Sequence, residues 1–274
     1  MIKLVFTYCF IVFLLLFCTQ NNENLQLSDK EKLEIALYQN FPHFQSNAEI
    51  KLLKKYKIKT ASFIKENLIN NKIDSTTFLV FDNKGRILKR TTSECTTAGC
   101  LPYIIRQKFI YKNNKLLQMQ NLSYKKKFKS VLPYWTLSDT NKLSKFDWED
   151  YSYQPNIVRV ESGPFIWKYQ NNQHGNIVEI LDSVKSTGQV SKTLIQYSDT
   201  SITLSIIHIP QDSALKITYK LQNEKVILND SSGNEKRQTK YVFNHNGLLE
   251  KKLFFINNKL ISRTSIDYSN SNKK

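Results

Sequence analysis

The stretch Phe81-Asp82-Asn83-Lys84-Gly85-Arg86-Ile87-Leu88 decides the fold class of this chain. A short polar segment that ends in Gly, set between an aromatic and an aliphatic pair, is typical of a tight β-hairpin turn, because Gly and Asn tolerate the positive φ that such turns require. The same order of residue types recurs further along the chain. We therefore predict consecutive antiparallel hairpins. The weaker copies span residues 111–117, 169–178, 243–249 and 255–261.

Apolar and polar residues alternate between these turns, which is the pattern of strands with one buried and one wet face. The turns lie at unequal intervals, so a regular solenoid is not expected. The sequence predicts a mainly β protein, an antiparallel meander of hairpins that forms a curled sheet or open half-barrel. The alternation is clearest for Ile202, Leu204, Ile206 and His208, and for Leu215, Ile217, Tyr219 and Leu221.

One or two short helices are predicted before the first strand. Ser28 and Glu31 have the spacing of a capping box, which predicts a helix near residues 29–40. Asn47 is the predicted cap of a second helix over 48–56. We expect one all-β domain over 28–268, preceded by a polar tether at 18–27 and followed by a disordered tail at 269–274.

The N-terminus reads as an export signal. Its apolar run from Leu4 to Phe17 would span roughly 21 Å as a helix, which is short of the ~30 Å hydrocarbon core. Residues 1–17 are therefore predicted to be a signal peptide, although small residues for ordinary cleavage are missing. Leu15-Leu16-Phe17-Cys18 resembles the lipobox of bacterial lipoproteins, with Phe17 where the lipobox has Gly, Ala or Ser. The resemblance implies lipidation of Cys18; the alternative is an uncleaved N-terminal anchor.

The body of the chain resembles YD (RHS-like) repeats and the hairpin-repeat lipoproteins of Bacteroidetes. Their units read roughly as Tyr/Phe-Asp-x-x-Gly-Arg/Asn-Leu, and 81–88 is the fullest match. The resemblance covers about 57–124 and 157–268. It implies an exported, membrane-anchored protein, placed as an outer-membrane lipoprotein that faces the periplasm or the cell surface.

The chain is strongly basic, with 40 Lys and Arg against 23 Asp and Glu, a net charge of +17. The basic residues are scattered and no nucleic-acid-binding signature accompanies them, so nucleic acid is not an expected partner. A diffuse positive field favours anionic lipid, lipopolysaccharide or acidic glycan. The alternative is that the lysines solvate sheet faces and protect strand edges.

Two cysteines remain in the body, Cys95 and Cys100, in a polar loop. An even pair in an oxidising compartment predicts a disulfide; a redox pair or a zinc site would have other spacings and more ligands. The four histidines form no metal-binding motif, and no nucleotide or hydrolase motif is present. We expect neither a metal nor a cofactor.

Aromatic and acidic residues concentrate in 134–169. Aromatic platforms beside carboxylates suit stacking on sugar rings, or the acid pair of a glycosidase. The alternative is a long connection whose aromatics cap the open end of the sheet. The candidate ligand-binding residues are Trp135, Trp148, Trp167, Tyr151, Asp147, Glu149 and Asp150.

These patterns favour a non-enzymatic, envelope-anchored lipoprotein with a binding or scaffold role. A glycan-binding module built on 134–169 is the second hypothesis, and an enzyme acting on envelope polysaccharide is the third. Two carboxylates gathered from different strands in one cleft would favour the enzyme.

We expect the wild-type chain to incorporate radiolabelled palmitate and Cys18→Ala to lose the label, because the lipid is carried by the cysteine sulfur. Cys9→Ala is the matched control and should keep the label. Globomycin should block processing of the wild type. A wild-type chain that carries no label and ignores globomycin would instead retain residues 1–17 as an anchor.

Overall fold

The computed structural model describes residues 27–41, 44–94, 103–124, 148–209, 214–223, 225–230 and 235–270. Within these ranges the chain forms two helices and sixteen antiparallel strands, which confirms the mainly β meander. The helices are α1 (Asp29–Tyr38) and α2 (Asn47–Lys55). The strands are β1 (Thr60–Asn67), β2 (Lys72–Phe81), β3 (Ile87–Glu94), β4 (Tyr103–Lys112), β5 (Lys115–Tyr124), β6 (Trp148–Gln154), β7 (Ile157–Ser162), β8 (Phe165–Asn171), β9 (Ile177–Val184), β10 (Val190–Tyr197), β11 (Ser201–Ile209), β12 (Ala214–Gln222), β13 (Lys225–Asp230), β14 (Arg237–Phe243), β15 (Leu249–Ile256) and β16 (Lys259–Ser269).

The sheet closes into a barrel. Each strand pairs with its neighbours in sequence, and β1 pairs with β16 from Thr60↔Ser269 to Asn67↔Ser262. The prediction of a curled sheet or open half-barrel was therefore wrong, since the two end strands join. Closure satisfies the backbone groups of both end strands, which an open sheet would leave exposed. Ser269, assigned above to the tail, is the last residue of β16.

Some of the hairpin turns at one end of the barrel share one hydrogen-bond pattern. Three of them begin with Asp or Asn, whose side-chain Oδ1 accepts backbone N–H groups two and four residues later, at 2.8–3.1 Å. The glycine three residues on has a φ of 77–81°. This pattern explains why the turn of the repeated unit has Asp or Asn at its first position and Gly at its fourth. The turns begin at Asp82, Asn172 and Asn244 and contain Gly85, Gly175 and Gly247.

The aliphatic pair of the repeated unit has a structural role too. A β-bulge precedes each of four turns, so that a residue at or next to the end of one strand pairs with the first aliphatic of the next strand. Those aliphatics are buried at 2–8% exposure inside the barrel end. The pairs are Phe81↔Ile87, Tyr111↔Leu116, Asn171↔Ile177 and Phe243↔Leu249.

The barrel wall has an apolar inner face and a largely polar outer face. Ile202 pairs with Tyr219, and both are buried against the lumen as the alternation predicted. Lys216 and Lys220, on the other parity of the same strand, are exposed. Cross-strand ion pairs decorate the outside, such as Arg263 Nη2 to Glu66 Oε2 at 2.6 Å.

The two helices, together called the plug, pack against the inner face of this barrel at the end that carries the repeated turns. Residues on every side of α1 are buried, Leu33, Ile35, Ala36 and Leu37 all being at most 1% exposed. The C-terminal half of α1 is therefore buried on all sides, and α1 packs against β11, β12, β13 and α2. In the described part of the chain, no helix has the length and apolar character needed to cross a bilayer.

The helix caps agree with the sequence in one case and differ in the other. The capping box of Ser28 and Glu31 is present, although α1 ends at Tyr38, before residue 40. The cap of α2 is Ser46, whose Oγ accepts the Glu49 N–H, so the predicted cap at Asn47 was wrong by one residue. Leu27, placed above in the tether, is buried against Gly247.

The segment 148–171 does not form a long connection. It folds into the consecutive strands β6, β7 and β8, each paired with its neighbours. The interpretation of this part as an aromatic cap over an open sheet was therefore wrong. Its β-branched and aromatic residues belong to strands of the barrel wall, where such residues are favoured.

Gly85 should be the most sensitive of the turn glycines, because it touches the plug as well as having positive φ. A Cβ added there would lie 2.5 Å from the Ile50 carbonyl oxygen of α2, whereas a Cβ on Gly175 would meet nothing within 4 Å. Both alanine variants carry the left-handed strain of about 1 kcal/mol. We expect Gly85→Ala to cost about 1–3 kcal/mol more than Gly175→Ala in denaturant unfolding. Equal losses would mean that α2 does not press on this turn.

Candidate functional site

Several of the predicted site residues lie outside the described part of the chain. These are the lipidation site Cys18, the pair Cys95 and Cys100, and the candidate ligand-binding residues Trp135 and Asp147. Trp148 is the first residue of β6. The glycan-site and disulfide predictions stay predictions for these positions.

The described members of the aromatic and acidic set do not form one surface. Glu149 and Tyr151 face the lumen, where the Tyr151 hydroxyl donates to Glu149 Oε2 at 2.9 Å. Asp150 lies on the opposite face of β6 and accepts a hydrogen bond from the Gln118 amide at 2.8 Å. Trp167, on β8, is half-buried and stacks on Phe165 at a centroid distance of 5.8 Å.

Glu149 and Tyr151 belong to a buried polar cluster between α2 and the wall. Arg90 of β3 donates to Gln107 Oε1 of β4 at 3.3 Å and lies in the electrostatic field of both Glu149 and Glu49. Burial lowers the pKa of Arg90, and the nearby negative groups act in the opposite sense. Arg90 is thus coupled electrostatically to one carboxyl group of the plug and to one of the barrel wall.

Glu49 is the most perturbed acid of this cluster. It is 8% exposed, and its Oε1 accepts a weak 3.5 Å hydrogen bond from the Gln39 amide. Burial raises the pKa of Glu49 to about 7, and Gln39 and Arg90 only partly offset the effect. Tyr268 of β16 also faces this carboxyl, and burial raises the pKa of its phenol. The Glu49 carboxyl group therefore has a pKa close to neutral pH.

A cavity of about 380 Å³ lies in the other half of the lumen, beside the residues that follow α1. Its size is in the range of ~300–1,000 Å³ usual for small-molecule sites. Side chains from six neighbouring strands and the segment after α1 surround it, and the wall is mostly apolar. The lining residues are Asn40, Phe41, Thr193, Leu204, Ile206, Ile217, Tyr219, Leu228, Asp230, Arg237, Gln238, Thr239, Tyr241 and Phe254. We call it the luminal cavity.

The charged and amide groups of the luminal cavity are at its two ends, and Thr239, which pairs in register with Leu228, lies between them. At the plug end, the Asn40 side-chain amide donates to the hydroxyls of Tyr219 at 2.7 Å and Tyr241 at 3.0 Å. At the far end, Asp230 closes β13 and pairs in register with Arg237, the first residue of β14. A ligand in this space would meet a mostly apolar middle, interrupted by Thr239, and two polar ends.

A second cavity of about 240 Å³ lies at the barrel end that carries the repeated turns. Its lining is more polar and includes Arg86, Asn114, Lys115 and Asn171. The Arg86 guanidinium stacks over the Tyr111 ring at 4.3 Å and pairs with Asp82 at 2.6 Å. In these contacts the charges of Arg86 and Asp82 are paired with each other and stabilise the turn.

Metal ligands do not converge within the described ranges. No group of three or more His, Cys, Asp or Glu residues is placed there to hold an ion. His174 and His245 lie in exposed turns, and His208 is an exposed residue of β11.

Sequence analysis missed the residues that shape the lumen. Tyr219 had been assigned to a buried strand face but not to a site, although its hydroxyl at an apolar position was a usable signal. Asn40 follows a predicted helix, and Glu49 falls on the buried side of one. The tyrosine partners of Asn40 come from strands some 180–200 residues away, which no local pattern could indicate.

Comparison with known proteins shows no family. No protein-family model matches the chain, and no curated protein matches it in sequence. Among solved structures it is similar to a porin-like protein from Bacteroides uniformis ATCC 8492, with 9% identity and a TM-score of 0.47, covering 77% of this chain and 96% of that chain. The function proposed below therefore rests on this chain's own residues.

The titration of Glu49 should make stability fall as the pH rises. The pKa of Glu49 in the folded state, about 7, lies above the ordinary 4.5, so the folded state binds this proton more tightly than the unfolded chain does. The stabilisation from protonated Glu49 is therefore fully present below pH 4.5. Between these values the free energy of unfolding should drop by roughly 3 kcal/mol, and above pH 7 this contribution levels off. Glu49→Gln should remove this slope.

The comparison is made by urea unfolding from pH 4 to 9. Glu66→Gln, which alters an outer-face carboxylate, is the control and should keep the wild-type slope. Superimposable pH profiles of the wild type and Glu49→Gln would show that Glu49 does not titrate in this window.

Proposed function

We propose that this protein is a non-enzymatic binding protein of the bacterial envelope, anchored to a membrane by its N-terminus, whose barrel stands in water and holds an apolar small molecule in its lumen. The luminal cavity is the observation that carries the proposal. It combines about 380 Å³ of space with an apolar wall inside a closed barrel. Such a site suits a small ligand, because ligand pockets are mostly apolar cavities with a few polar groups.

The outer face of the barrel supports a position in water. Membrane-spanning barrels carry apolar residues outside and polar residues inside, and a Lys or Arg at the lipid midplane costs about 2–4 kcal/mol. Here the order is reversed. Lys168 is exposed in the middle of β8, and Lys192 pairs with Glu179 across the outer face of β9 and β10 at 2.9 Å. A lipid-facing position for this wall would bury many such charges.

Envelope anchoring is supported by the signal-like N-terminus and by the charge. The apolar run and Cys18 supply a means of attachment, and stable anchoring needs more than one lipid chain. A net charge of +17 would hold the barrel close to anionic lipid head groups or lipopolysaccharide. Attachment at a membrane also brings the cavity near a source of apolar ligands.

The absence of enzymatic activity is part of the proposal because of where the carboxylates lie. Glycosidase chemistry needs two carboxyl groups flanking one bond. Glu49 and Glu149 come from different elements, but neither lines the luminal cavity or the second cavity, and both are 8% exposed. Among the described residues that line the luminal cavity, Asp230 is the one carboxylate. The positions of Glu49 and Glu149 suit a structural role between the plug and the barrel wall.

A photoreactive hydrocarbon tests both the position of the wall and the use of the cavity. Trifluoromethyl-iodophenyl-diazirine partitions into bilayers and apolar cavities, and after illumination its adducts are located by mass spectrometry. In membranes that carry the full chain, we expect adducts on inward residues such as Leu204 and Leu228. Ile217→Trp, which fills the cavity, should lose them.

Thr218→Trp is the matched control, because it adds the same side chain to the outer face of the same strand and should leave luminal labelling intact. Adducts on outward apolar residues such as Leu194, Ile207 and Phe255 would place the wall in lipid and overturn the water-facing barrel. Labelling confined to residues 1–17 in the wild type would show that the cavity takes no apolar molecule.

A further inference from the structure

The plug end of the luminal cavity holds two tyrosine hydroxyls on one amide. The Asn40 Nδ2 atom lies 2.7 Å from the Tyr219 hydroxyl oxygen and 3.0 Å from that of Tyr241. Both rings are buried, with centroids 6.3 Å apart. All three residues line the cavity.

The direction of these hydrogen bonds follows from the other neighbours of Asn40. Its Nδ2 also faces the Ala36 carbonyl oxygen at 3.5 Å, which can only accept. Its Oδ1 faces the Lys252 ammonium at 3.5 Å, which can only donate. The amide is therefore oriented with its N–H groups toward the tyrosines, and both hydroxyls accept.

Each hydroxyl that accepts from Asn40 keeps its own proton for another partner. Within the described ranges, neither the Tyr219 nor the Tyr241 hydroxyl donates to a protein acceptor. Burial raises the pKa of both phenols, that of Tyr241 to about 12, so the protons are retained. A buried donor without an acceptor is costly, and an acceptor on a ligand would relieve this cost for both tyrosines.

Lys252 adds positive charge at the same end. Its Nζ lies 5.5 Å from the centroid of the Tyr241 ring, and no described carboxylate lies within 4.0 Å of it. Burial lowers the pKa of this ammonium, and the charge of Lys65 lowers it further. An anion placed beside the tyrosine pair would be attracted to Lys252.

From these contacts we infer that the luminal cavity binds a carboxylate-headed amphiphile of the fatty-acid class. The carboxylate accepts hydrogen bonds from the hydroxyls of Tyr219 and Tyr241 beside Lys252. The alkyl chain lies along the apolar wall, between the plug and the far end. This inference rests on the proposed binding function and names its ligand class.

The charged groups at the far end agree with this orientation. Asp230, which an anionic head group would avoid, is at the far end of the cavity beside Arg237. Phe41, Ile206 and Leu228 line the space between the two ends. A cationic head group would have to displace or face Lys252, and a neutral alcohol would use the tyrosine protons without the charge.

A photoreactive fatty acid tests the ligand class on the full chain in membranes. The probe carries a diazirine on its alkyl chain, and unlabelled dodecanoate, dodecanol or dodecyltrimethylammonium competes with it. We expect adducts in β11–β14 that dodecanoate suppresses at concentrations about tenfold or more below those needed with either other competitor.

Two variants remove the tyrosine donors in different ways. Tyr219→Phe with Tyr241→Phe deletes both hydroxyls, and at least a tenfold rise in the half-inhibiting dodecanoate concentration is expected. Asn40→Asp keeps the hydroxyls but gives them a protein acceptor, so it should weaken dodecanoate in the same way. Tyr153→Phe, whose hydroxyl donates to the Leu116 carbonyl in the second cavity, should behave as the wild type.

The outcomes separate this inference from the proposed function. If the hydrocarbon probe labels the lumen but dodecanoate and dodecanol compete equally, the cavity recognises apolar chains alone and the carboxylate site is wrong. Unchanged competition in both the double variant and Asn40→Asp leads to the same conclusion. Adducts of the fatty-acid probe on Tyr219→Phe/Tyr241→Phe alone, with none on the wild type, would also overturn it.

Discussion

The pairing of β1 with β16 is the constraint on which the rest of the structure depends. Eight consecutive pairs join the first and last strands, from Thr60↔Ser269 to Asn67↔Ser262. Closure turns one face of a long meander into a lumen, so every inward residue must pack against something enclosed. An open sheet with the same strands would expose one apolar face to water and two unpaired edges to other chains. Inside and outside exist in this protein only because these two strands meet.

The plug divides that enclosed space into two regions with different chemistry. α1 and α2 pack into the barrel end beside the repeated turns, and on one side Glu49 lies in the field of Arg90, which also lies in the field of Glu149. This buried charge group joins plug to wall, and the titration of Glu49 makes the joint sensitive to pH. On the other side the plug ends at Asn40, which contacts two tyrosines and leaves a cavity beyond. The element that stabilises the barrel therefore also builds one end of its binding site.

Much of the fold could be predicted from local patterns, and much of the site could not. The turn at 82–86 could be predicted because it needs particular residue types: Asp82 supplies a side-chain acceptor, and Gly85 has a positive φ. The capping box at Ser28 was visible for the same reason, since its two partners are three residues apart. The seven candidate ligand-binding residues were grouped by nearness in sequence, yet Glu149 and Asp150 lie on opposite faces of β6. Neighbours in a strand point apart, so density in sequence is a poor guide to a site in a sheet.

The sequence by itself determined the antiparallel hairpins, the wet and dry faces of the strands and the two N-terminal helices, because each depends on residues within a few positions of one another. Tertiary structure alone decided that the sheet closes, that the helices enter the lumen, and that Asn40 meets Tyr219 and Tyr241. Those contacts bring together residues far apart in the chain, and their formation depends on the summed register of sixteen strands in the described part. A short stretch of residues therefore cannot predict these contacts.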